Sequence, residues 1–187
     1  MRKSKNPGEM DGLHLQIEKS AWVSFSAMWV ILSVIGKIRL RWTWPLAVLF
    51  GLAATLLHLI SEIWHQLGHA QAAGLTGFPM RAIRLWGLLS TSVYPENEPS
   101  LSADIHLQRA LGGPIASTGL SLVAGLIVLI TRPIGGVWYW LARFLLAENV
   151  LVFTLGALTP LGFTDGSTLL HWWPQRGRRN LTLETTR

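Results

Sequence analysis

Apolar positions fall into four blocks along the chain, separated by short polar or basic joints. The first, residues 21–36 ("AWVSFSAMWVILSVIG"), is uncharged. It is shorter than the roughly 20 residues a helix needs to cross a bilayer. It fits a short span, an interfacial segment, or part of a hairpin with the following "KIRLRW". The second block, Pro45 to about Ala73, is the longest helical candidate, with proline suited to its first turn and Gly74 to its end. Its front half is lipid-compatible, and its back half carries Glu62, His65, Gln66 and His69. Residues 75–104 change character, with glycines, prolines and both charge signs, and predict short extended segments and a loop outside the hydrocarbon. The third block, 105–130, contains "LGGPIASTGLSLVAGL", whose small residues allow close helix packing. The fourth, 137–158, leaves through "TPLGFTDGS", broken by Pro160 and Gly162, into the short amphipathic "TLLHWW".

The pattern predicts an all-α polytopic membrane protein. A polar arm (1–20) precedes a membrane domain (21–175) with core spans at about 45–73, 105–130 and 137–158, and a basic tail (176–187) follows. The block at 21–36 is a candidate extra span. Composition sharpens this reading. Half of the residues are hydrophobic, mean hydropathy is +0.36, and only 14% are charged, against about 25% in an ordinary soluble domain. The ten tryptophans favour membrane–water boundaries. With no cysteine, any metal must be held by His, Asp or Glu. The net charge is +6, but the basic residues are scattered through the joints, which speaks for membrane topology and against nucleic acid.

The joints can be counted. The end bearing Pro45 receives Lys37, Arg39, Arg41 and Arg132. The histidine end receives Arg81, Arg84, Arg109, Arg176, Arg178, Arg179 and Arg187. Excess positive charge stays in the cytoplasm, so the histidine end and the C-terminus are expected there. If residues 21–36 also span, Arg2, Lys3, Lys5 and Lys19 join that side.

On a helix, His65 and His69 lie ~40° and one turn apart, so both imidazoles can grip one metal ion. His65 is ~30 Å along from Pro45, near the far edge of the hydrocarbon. Glu62 and His58 share the face, at ~60° and ~20° from His65, with Gln66 on the flank at ~100°. A buried polar stripe satisfied by neighbouring helices is the plainer account of His58. A catalytic zinc needs a third protein ligand and an open position. Asp165 follows the last span on the histidine side, in a "TDG" setting that suits either a ligand or an ordinary turn or cap.

"HQLGHAQAAGLTG" resembles the H-E-L-G-H-A segment of the site-2 protease family of intramembrane zinc metalloproteases. "ALGGPIAS" resembles that family's A-G-P-x-A-N segment, and "LTPLGFTDGSTLL" its N-x-x-P-x-x-x-x-D-G segment. "GFPMRAIRLWG" resembles its extended segment, and "KIRLRWTWP" the strand leading into its first core helix. The match covers residues 37–172 in order. The resemblance implies a three-helix membrane core, zinc held by His65, His69 and Asp165, and cleavage of membrane-embedded peptides.

Two departures from the family matter. Gln66 stands where the family has its catalytic Glu, and Ala157 where the proline segment has Asn. A neutral amide cannot accept a proton as a carboxylate does, and losing a general base costs about 10²–10⁴-fold in rate. Glu62 is the one nearby carboxylate that could substitute. An engineered Glu→Gln change would account for Gln66 but not for Ala157. The two together favour a weak or inactive relative that acts as a scaffold or subunit of a membrane assembly, bound to a membrane protein partner. The alternative is an active protease acting on a transmembrane peptide. A di-iron bundle would need two Glu-x-x-His motifs, and only Glu62-Ile63-Trp64-His65 is present.

Overall fold

The computed structural model describes residues 12–177. Residues 1–11 of the polar arm and 178–187 of the basic tail lie outside the described residues. The order is β1 (His14–Ile17), α1 (Lys19–Arg39), α2 (Trp44–Leu75), β2 (Ala82–Trp86), β3 (Leu89–Val93), α3 (Ala103–Thr131), α4 (Gly136–Glu148), a π-helical segment (Asn149–Gly156), α5 (Asp165–Trp172) and a 3₁₀ turn (Trp173–Gln175). Four helical stretches are long and apolar enough to cross a membrane: α1, α2, α3, and α4 with the π segment. The three-helix core expected from the pattern is therefore present, and α1 adds a fourth span-length helix. The uncharged run in α1 is short by itself. The helix reaches 21 residues because Lys19 and the Lys37–Arg39 end join it, and such side chains carry their charge toward the interface.

α2 extends a residue or two past the expected range at each end. Pro45 sits in its first turn, and the helix runs through Gly74 to stop at Thr76. There the Thr76 hydroxyl donates to the Ala73 carbonyl at 2.7 Å, and Gly77 takes φ +81°. The last span is not one regular α-helix. After Glu148 it widens into the π segment, an irregularity common beside functional sites.

The sheet departs from expectation in one respect. "KIRLRWTWP" is not a strand: Lys37–Arg39 complete α1, and Arg41 at φ 56° reverses the chain. The periodic apolar residues up to Ile38 extend the helix instead. The third strand comes from the supposed arm, where exposed β1 pairs parallel with β2, His14 opposite Ala82. β2 pairs antiparallel with β3, Ala82 opposite Val93. The order β1-β2-β3 places the start of α1 and the end of α2 on one side of the bundle.

A candidate metal centre at the crossing of α2 and α3

α2 and α3 cross with their backbones in contact. A Cβ on Gly68 would lie 2.6 Å from Ala116 Cβ, and one on Gly112 would lie 2.7 Å from Ala72 Cβ. Only glycine permits this approach. It brings the His65–His69 face of α2 against Gly113 of α3, where an added Cβ would collide with Nε2 of both histidines.

α3 also orients the two rings. His65 Nδ1 pairs with Ser117 Oγ at 3.0 Å, and His69 Nδ1–H donates to the Arg109 carbonyl at 2.8 Å. Both Nε2 atoms are left facing each other, 3.1 Å apart. Asp165, in the first turn of α5, lies with Oδ2 3.3 Å from His65 Nε2 and Oδ1 3.4 Å from His69 Nε2. Burial pushes the Asp165 carboxyl up, but hydrogen bonds from His65 and His69 outweigh it and hold the group below the ordinary carboxylate range.

The three residues form the one group of His, Asp and Glu side chains among the described residues that could hold a metal ion. The two Nε2 atoms, 3.1 Å apart, are close to the ~3.3 Å edge of a tetrahedral site with metal–ligand bonds of about 2.0–2.1 Å, and each faces its own oxygen of the Asp165 carboxylate, at 3.3 and 3.4 Å.

No protein-family model matches the sequence, and no curated protein matches it. Among solved structures, the chain is similar to the site-2 protease from Methanocaldococcus jannaschii. The TM-score is 0.55 at 16% sequence identity, covering 92% of this chain and 72% of that one. This chain has a site-2-protease-like fold.

Within that fold, the site opens onto a cavity of about 690 Å³ bordered by β3, the π segment and the start of α5. Gln66 and Glu62 both line it. The Ser92 hydroxyl donates to Gln66 Oε1 at 2.8 Å, and the Ser90 hydroxyl donates to Glu62 Oε1. Glu62 is 3% exposed, and its Oε2 has no partner among the described residues. Ala157 also faces the cavity, offering a methyl group and no hydrogen bond. His58 does not line it and is satisfied by Glu148 and the Leu88 carbonyl.

Several contributors were not singled out from the sequence. Ser117 lies at the end of "GGPIAS", at the position where the segment it resembles has Asn, and that place was its signal. Arg109 fixes the rim: its guanidinium donates to Glu98 Oε2 at 3.0 Å and stacks 4.1 Å from the Tyr94 ring centre. Burial pushes the Tyr94 phenol up despite that neighbouring cation. Ser90 and Ser92 look like ordinary strand residues until β3 is laid along α2.

Proposed function

We propose that this chain is a site-2-protease-like integral membrane protein that holds zinc through His65, His69 and Asp165 and cleaves peptide bonds weakly or not at all. It acts as a scaffold or subunit of a membrane assembly, binding a membrane protein partner, with the histidine end and C-terminus in the cytoplasm. The observation that carries the reading is the triangle of His65, His69 and Asp165 donors beside a neutral Gln66. Zinc is favoured because two imidazoles and one carboxylate, with no thiolate, are a familiar catalytic zinc donor set. When bound, it supplies Lewis-acid polarisation of a carbonyl and activation of water.

The chain's own residues account for the weakness. Ser117 and the Arg109 carbonyl hold the ligand rings in place. Gln66, bonded to Ser92, can donate through its amide nitrogen but cannot take a proton from water. Site geometry is kept while proton transfer is lost.

A second reading has one specific observation behind it. Glu62 faces the same cavity with one carboxylate oxygen unpartnered. If it receives the proton through an intervening water, the chain is a slow intramembrane protease acting on a transmembrane peptide.

The test is metal analysis of the purified chain together with cleavage assays of the native form, Gln66→Glu and Glu62→Gln. One zinc per chain, with cleavage only in Gln66→Glu, supports the first reading. Cleavage by the native chain that disappears in Glu62→Gln supports the second. A metal-free chain that cannot be loaded with zinc overturns both.

A further inference from the structure

Deeper along the same face of α2 is a second polar group that the site does not use. His58 is 4% exposed and is boxed between Phe25 of α1 and Phe153 of the π segment, with ring centres 5.8 and 5.7 Å away. Its Nδ1 meets Glu148, the last residue of α4. Its Nε2–H donates to the Leu88 carbonyl at 2.9 Å. The next residue, Asn149, is fully buried, and its amide donates to Ser61 Oγ of α2 at 2.9 Å.

Both elements joined here border the cavity. Leu88 is the residue before β3. From it the strand runs along α2 in matched steps: Leu88 to His58, Ser90 to Glu62, Ser92 to Gln66. Two strand residues advance ~6.6 Å and four helix residues ~6.0 Å, so alternate strand positions meet successive helix turns. Glu148 ends α4 and Asn149 starts the π segment, which leads through the loop to Asp165. Leu88 lies outside the paired residues of the sheet, and His58 supplies its carbonyl with a hydrogen bond.

We infer that His58 and Glu148 are positioning residues of the candidate metal centre: one buried pair sets both the strand that holds Glu62 and Gln66 and the arm that delivers Asp165. With Nε2–H committed to the Leu88 carbonyl, the contact between Nδ1 and the Glu148 carboxyl needs one shared proton, carried by either partner. An amide N–H from a glutamine at position 148 would supply one to a neutral His58, whereas leucine there would leave Nδ1 unpaired in a low-dielectric interior.

The effect on zinc rests on the metal reading above; the effect on β3 does not. The test uses the full chain in detergent and three variants, His58→Phe, Glu148→Leu and Glu148→Gln. Two quantities are measured: zinc affinity by chelator competition, and backbone hydrogen exchange of residues 89–93. His58→Phe and Glu148→Leu are expected to weaken zinc about tenfold, the lower end for residues that support ligands. They are also expected to speed β3 exchange, with the α2–α3 crossing still protected. Glu148→Gln should keep native exchange and affinity. Three results would overturn the inference: unchanged exchange and affinity in folded His58→Phe or Glu148→Leu, loosening spread evenly over the bundle, or a Glu148→Gln as damaged as Glu148→Leu. If the native chain binds no zinc, the metal reading fails and the exchange data still decide whether the pair positions β3.

Discussion

One face of α2 carries two histidine sites about two helical turns apart, and they differ in what each histidine has left to offer. At the outer site, His65 and His69 each tie one ring nitrogen to α3 and leave the other aimed at a shared point beside Asp165. At the inner site, His58 spends both nitrogens, on Glu148 and on Leu88. The residue type, the helix and the degree of burial are the same. The outer pair retains donor capacity and opens to a cavity. The inner one is a joint. Unspent nitrogens, and not the mere presence of histidine in an apolar helix, mark the candidate ligands.

The contrast is broken most completely by removing an outer nitrogen. His69→Ala should abolish stoichiometric metal while the fold survives, read by metal analysis and circular dichroism of the same sample. Gly113→Val should do nearly as much without touching a ligand, because its side chain would occupy the space against both Nε2 atoms. Its overpacking cost of about 1–3 kcal/mol would appear as a lower thermal midpoint. Retained full metal binding in that variant would count against the site.

Gln66→Glu sharpens the outer site instead of breaking it. A gain of about 10²–10⁴-fold in cleavage of a transmembrane reporter is expected, the usual contribution of a general base, with metal content unchanged. At the inner site, Ser61→Ala leaves Asn149 with only the Leu145 carbonyl. It should cost about 1 kcal/mol in thermal stability with full metal stoichiometry.

The smallest effect is a pH dependence of the metal-free chain. The Asp165 carboxyl is held below its ordinary value, so its contribution to stability is complete above the unfolded carboxylate value of about 3.9 and is lost as pH falls through the folded value. Thermal midpoints of the metal-free native chain and Asp165→Asn should therefore differ at neutral pH and converge in acid. Parallel curves would show that the histidines do not hold the carboxylate.

Much of the core was legible because bilayer length and helical periodicity are local properties. Uninterrupted apolar runs marked the long helices, and i, i+4 spacing put His65 and His69 on one face. Asp165 was legible as a candidate only through its place after the last span and its likeness to a known segment. The strand at His14–Ile17 was not legible: its four residues are all exposed, and its partner lies 68 positions away, at Ala82. The π segment escaped for a related reason, since an apolar run looks alike whether the backbone turns tightly or widely.

The sequence alone determined that this chain lies in a membrane, that its helices pack through small residues, and that one helix carries a metal-competent pair of histidines beside a neutral Gln66. Those properties follow from composition and short-range spacing. Only the tertiary structure decided which nitrogens stay available, because that depends on what α3 supplies at Ser117 and Arg109 and what α4 supplies at Glu148. It also decided that β3 runs in step with α2, placing Ser90 on Glu62 and Ser92 on Gln66. Hydrogen-bond capacity is spent between elements far apart in the chain, and no local pattern records how it is shared.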